Sequence, residues 1–112
     1  MKLNYVIKYV ADMNNAVAFY RDKLGFELKF QYPGWSEFAT GETTLALHPA
    51  SDEHPAGSAS IGLGVDDFDD FYAKANDDGI EFTTHPTDMH GHRIARFLDS
   101  DGAECSVSGK VS

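Results

Sequence analysis

Residues 3–48 read LNYVIKYV (3–10), DMNNAVAFYRDKL (12–24), FELKFQY (26–32), WSEFAT (35–40) and TTLALH (43–48): strand, helix, three strands. Residues 58–107 repeat that order as SASIGLGV (58–65), DDFDDFYAKAND (66–77), IEFTT (80–84), RIARFLD (93–99) and ECSV (104–107). An internal repeat decides the architecture before any single motif does. The expected fold is therefore α+β, two tandem β-α-β-β-β modules over about residues 1–50 and 57–110, forming curved mixed sheets around a cleft. At 112 residues the chain is expected to be one domain with a core that needs no staples.

Local signals support the helices. Asp12 is placed to cap the first, whose apolar face is Met13, Ala16, Val17, Tyr20 and Leu24, with Gly25 as its terminator. Asp66 or Asp67 caps the second, whose face is Phe68, Phe71, Tyr72 and Ala75, ending at Gly79. These aromatic stripes, with Phe19, read as core. Pro33-Gly34, Thr40-Gly41-Glu42 and Asp101-Gly102 read as turns, and His85–Gly91 as a loop.

Strand alternation then sorts side chains by face. Val6, Lys8, Val10, Leu45, Leu47, Ile61, Leu63, Val65, Cys105 and Val107 are expected to face the helices, with the Lys8 stem snorkelling to solvent. The opposite face carries Tyr5, Ile7, Tyr9, Thr44, Ala46, His48, Ser60, Gly62, Gly64, Glu104, Ser106 and Ser108. So many small and polar residues predict a partly open surface, covered by a ligand or a second subunit.

Composition narrows the function. A net charge of −9 argues against nucleic-acid binding and permits a cationic ligand. No apolar run is long enough to span a bilayer, and Met1-Lys2 opens no signal-peptide pattern, so no membrane partner is expected. One cysteine, Cys105, excludes an internal disulfide and suits the cytoplasm, as a core thiol and not a nucleophile. His85, Asp88, His90 and His92 are grouped closely enough to suggest a metal, but surface histidines explain them better. Arg93 and Arg96 lie on opposite faces of one strand, either one free to meet an anion or a surface carboxylate.

Tyr9-Val10-Ala11-Asp12, Phe19-Tyr20, Leu24-Gly25-Phe26, Val65-Asp66-Asp67 and Phe97-Leu98-Asp99-Ser100-Asp101-Gly102 together resemble the vicinal oxygen chelate superfamily. That group includes glyoxalase I, extradiol dioxygenases and bleomycin resistance proteins. The closing turn departs from the usual pattern, with Ser100 in place of proline and Ala103 in place of asparagine. The resemblance implies metal ligands at four positions, which here are Tyr5, Ala46, Ser60 and Ser106. Alanine offers no donor, and a neutral hydroxyl is a weak ligand. No metal or other cofactor and no catalytic residue are therefore expected.

The resemblance points instead to a metal-free binding protein of the bleomycin-resistance kind. Its small-molecule ligand would meet Tyr5, Tyr9, Trp35, Glu37, His48, Ser60, Glu104 and Ser106. In relatives the loop near His90 and His92 borders the pocket. A divergent metal-dependent lyase or dioxygenase-like enzyme and a non-catalytic interaction subunit stand as alternatives. A homodimer is expected, since open sheets leave strand edges to cover.

Overall fold

The computed structural model describes residues 1–111. Its strands are β1 (Lys2–Val10), β2 (Glu27–Tyr32), β3 (Trp35–Ala39), β4 (Thr44–Pro49), β5 (Ala59–Asp67), β6 (Thr87–Met89), β7 (His92–Leu98) and β8 (Glu104–Lys110). Helix α1 spans Met13–Ala18 and runs on through a π-helical segment, Phe19–Lys23; α2 spans Phe68–Asp77. The fold is the expected α+β pair of β-α-β-β-β modules. The chain forms two compact units, Asn4–Ser60 and Ile61 onward with Met1–Leu3.

In the first unit the strands run β2-β3-β4-β1, antiparallel except for the parallel β1–β4 pair. The turn at Pro33-Gly34 joins Tyr32 to its partner Trp35. Asp12 caps α1, accepting from the Asn15 N–H at 2.9 Å. The helix-facing core holds Val17, Phe38 and Leu47, with Val10, Met13, Ala16, Tyr20, Leu28 and Leu45 packed on it. Lys8 donates its ammonium to the Gly57 carbonyl at 3.0 Å, which explains a lysine among apolar neighbours in sequence.

The apolar stripe expected through Phe19 and Leu24 does not hold: both are exposed. A π-helical turn carries more residues than an α-turn, so the 3.6-residue phase is lost at Phe19–Lys23. Phe26, beyond the Gly25 turn, instead stacks on Tyr20 with ring centroids 6.0 Å apart.

In the second unit the order is β5-β8-β7-β6, with β5 and β8 parallel. Asp67, not Asp66, caps α2 by accepting from the Asp70 N–H at 3.1 Å. Phe68, Ala95, Phe97, Cys105 and Val107 form the core, and Leu63, Val65, Phe71, Tyr72, Ile80 and Phe82 pack on it. Ile61, expected on this side, is 39% exposed and joins no core.

Two further expectations are corrected here. Residues 80–84 form no strand: Phe82 makes one isolated bridge to Phe97, and the Thr84 hydroxyl takes the Arg96 N–H in place of a backbone acceptor. The strand comes later, at Thr87–Met89, inside the segment expected to be a loop. Pro86 offers no N–H to a ladder, so regular pairing begins beyond it. The β6–β7 hairpin then turns on His90 and Gly91, both at positive φ (51° and 82°), as a two-residue hairpin of this kind demands.

Candidate functional site

Three adjacent strands of the first unit build one sheet face. On β1 it carries Tyr5, Ile7 and Tyr9, on β4 Thr44, Ala46 and His48, and on β3 Trp35 and Glu37. Pairing sets Ile7 beside Ala46 and Ala46 beside Glu37, so Ala46 is the middle of this face. It is fully buried, with Ile7 and Tyr9 in its cluster and the rings of Tyr5 and Trp35 packed against it. The smallness of Ala46 matters: the ring centroids of Tyr5 and Trp35 come within 5.8 Å, edge to face.

The rings continue outward. Trp35 lies 6.2 Å from His48, and His48 lies 5.5 Å from Tyr9, each pair again edge to face. Tyr9 stacks flat on His54, with centroids 4.3 Å apart and planes 9° from parallel. The His48 Nδ1 is 2.8 Å from the Pro49 carbonyl. A carbonyl only accepts, so Nδ1 carries a hydrogen and donates it.

Glu37 supplies the charge. The residue is only 9% exposed, yet it is a carboxylate on a face of aromatic rings. Burying such a group requires hydrogen-bonded or ionic partners. The Trp35 indole N–H donates to Oε2 at 2.8 Å, and the Lys29 ammonium approaches Oε1 at 3.5 Å. Burial and, secondarily, the Glu37 charge push the Tyr5 phenol above its ordinary value of 10.0. Tyr5 therefore stays a neutral hydroxyl.

Six of the predicted ligand residues, Tyr5, Tyr9, Trp35, Glu37, His48 and Ser60, belong to this unit. Ser60 is tied in by a 3.0 Å hydrogen bond between its Oγ and the Tyr9 hydroxyl. Glu104 and Ser106 belong to the second unit. There Glu104 accepts from the Thr83 hydroxyl at 2.8 Å, and Ser106 lies between Gly62 and Arg96 in the pairing. Lys29 and His54 escaped the sequence reading. Lys29 sits at a register break between Leu28 and Phe30, which alternation does not foresee. His54 lies in the inter-module linker, outside both repeats.

The residues at the four family ligand positions do not fit a metal. Ala46 has no donor atom. Tyr5 offers only a phenol, Ser60 and Ser106 offer only neutral hydroxyls, and that of Ser60 is engaged by Tyr9. Among the described residues no group of three or more His, Cys, Asp or Glu side chains converges on a common point. Asp88 of the histidine-rich segment is committed to Arg93 at 2.7 Å, and Arg93 also reaches Asp69 at 2.9 Å. Cys105 is buried, and burial first, then Asp99 and Glu104, pushes its thiol upward, away from a reactive thiolate.

A shallow depression of about 470 Å³ lies on the second unit, between the end of α2 near Asp78–Glu81 and the Asp99–Gly102 turn. None of the predicted ligand residues lines it. It is a surface groove between a helix end and a hairpin, with Asp78, Glu81 and Asp99 among its lining residues.

Known proteins agree with this architecture. The family model described as the glyoxalase/bleomycin resistance protein/dioxygenase superfamily matches residues 2–107. Two relatives from Bacillus subtilis are the uncharacterized proteins YurT, 34% identical over 91% of this chain and 94% of its own, and YetH, 29% identical over 90% and 92%. Among solved structures, a glyoxalase/bleomycin resistance protein/dioxygenase superfamily member from Vibrio splendidus aligns with a TM-score of 0.69 at 20% identity, covering 97% of this chain and 99% of that one. A Streptomyces coelicolor methylmalonyl-CoA epimerase variant in complex with 2-nitronate-propionyl-CoA aligns with a TM-score of 0.75 at 21% identity, over 98% and 97%. At such identities these two show the fold alone. The module order, the paired strands and the match over almost the whole length lead to one conclusion: the chain belongs to the glyoxalase/bleomycin resistance protein/dioxygenase superfamily.

Proposed function

We propose that this protein binds a small cationic molecule without a metal, on the aromatic face of Tyr5, Tyr9, Trp35 and His48. Glu37 is the counter-charge, and Ser60, tied to the Tyr9 hydroxyl, adds a polar contact. The observation that carries this reading is Glu37 itself, nine-tenths buried and oriented by the Trp35 indole. A carboxylate fixed among ring faces suits an organic cation, which gains both ion pairing and cation–π attraction. The chemistry at Tyr5, Ala46 and Ser60 supports binding over metal-assisted turnover. The protein acts as a homodimer in the cytoplasm, and sedimentation at several concentrations tests the dimer.

Calorimetry and thermal melting with a panel of organic ammonium ions test the binding. At least one cation is expected to raise the melting temperature, since a ligand of the folded state stabilises by mass action. Trp35→Ala and Glu37→Gln are expected to remove that rise. Stoichiometric metal in the purified protein, lost on His48→Ala, would overturn the reading in favour of a metalloenzyme.

A further inference from the structure

The Lys29–Glu37 contact is an odd ion pair. Glu37 is almost wholly enclosed, with its side chain 11% exposed, whereas the Lys29 side chain is 46% exposed and stands off at 3.5 Å. The second carboxylate oxygen is held at 2.8 Å by an indole N–H. One oxygen is thus fixed by a neutral donor, and the other is served by a flexible cation approaching from solvent. Lys29 reaches this position because the β2–β3 register breaks between Leu28 and Phe30, leaving Lys29 as the unpaired residue. A bulge redirects the side chain of its extra residue, a device common beside binding sites.

We infer that Lys29 is a resident counter-ion that the ligand displaces, and that the site is built for a protonated primary amine. This rests on the cation-binding reading above and specifies its ligand. The ammonium already in place shows the chemistry that Oε1 accepts: a compact cation with N–H donors on an aliphatic stem. The stem of an incoming amine would run along the Tyr5 and Trp35 rings, with its N–H groups on Glu37 Oε1. A quaternary ammonium has the charge but no N–H donor, so it cannot replace the contact that Lys29 gives up. Lys29 therefore sets both selectivity, by defining the donor type, and affinity, by competing.

The test is calorimetry at mildly alkaline pH, with phenethylammonium and tetramethylammonium as probes, on the native protein, Lys29→Met and Glu37→Gln. The native protein is expected to bind phenethylammonium in preference to tetramethylammonium. Lys29→Met is expected to tighten phenethylammonium by about fivefold, the size of competition from one half-exposed ion pair. Lys29→Arg, which keeps the charge, is expected to restore the native affinity. Glu37→Gln is expected to abolish binding. Unchanged or weaker phenethylammonium binding by Lys29→Met, with circular dichroism intact, would overturn the displacement. Equal binding of the two probes would overturn the primary-amine assignment while leaving cation binding standing. No binding of either probe to any variant would remove the underlying cation reading as well.

Discussion

Glu37 and Tyr5 lie on neighbouring parts of one sheet face, and the Glu37 charge bears on the Tyr5 proton. Burial disfavours a phenolate at Tyr5, and a carboxylate nearby disfavours it further. In the folded chain Tyr5 keeps its proton beyond the ordinary 10.0, while the unfolded chain releases it there. The stabilisation is therefore complete below the unfolded value and is lost as pH rises through the folded one. Ultraviolet difference titration should show a tyrosine ionisation above the ordinary 10.0 that is absent in Tyr5→Phe, with alkaline stability falling over that same window. A Tyr5 that titrates at the ordinary value of 10.0 would contradict the burial. This pairing was only half legible in the sequence. Alternation places Tyr5, Ala46 and His48 on one face, because side-chain direction depends on neighbours in the chain. That Trp35 would donate to Glu37 at 2.8 Å, or that His54 would stack on Tyr9, depends on partners that no local pattern names.

At the scale of elements, caps and turns behave as their residues dictate, and the departures have local causes. Asp12 and Asp67 both accept from the N–H three residues on, and Gly25 and Gly79 both end their helices at positive φ. The expected loop at residues 85–91 contains a strand because Pro86 delays pairing instead of preventing it. Gly109 on β8 shows another constraint. A Cβ there would fall 2.6 Å from the Val65 carbonyl oxygen and 2.7 Å from its Cγ2, so β5 and β8 approach only because Gly109 has no side chain. Gly109→Ala is expected to cost about 1–3 kcal/mol, the usual range for overpacking, as read by urea denaturation. Asp67→Ala should cost about 1 kcal/mol through the lost cap. A Gly109→Ala variant as stable as the native protein would show that the strand pair is looser than this geometry requires.

For the whole molecule, each module owns a helix-facing core, and each core contains a phenylalanine that water hardly reaches. Phe38 is 0% exposed in the first and Phe68 is 1% exposed in the second. Removing either ring leaves a cavity as well as lost transfer energy, so Phe38→Ala and Phe68→Ala should each destabilise by about 3–5 kcal/mol. Urea titration followed by circular dichroism measures both. The single tryptophan, Trp35, lies in the first module and reports on it by fluorescence. A loss below about 1 kcal/mol at either site would mean that the module's core is elsewhere.

The duplicated module order, the helix caps, the turns and most of the strand facings follow from the sequence by itself, because each depends on residues within a few positions of one another. The common face of Tyr5 and Ala46 follows in the same way from strand alternation, whereas their being ligand positions is what the family resemblance implies. Tertiary structure alone decided where the β2–β3 register breaks, which pair of rings covers Ala46, and which groups share the Glu37 carboxylate. Those depend on strand pairing and on which side chains find each other across it, and a buried charge takes its character from such distant partners. The alternation that opened the sheet face to view is local, whereas the charge that gives that face its chemistry is set by contacts between strands.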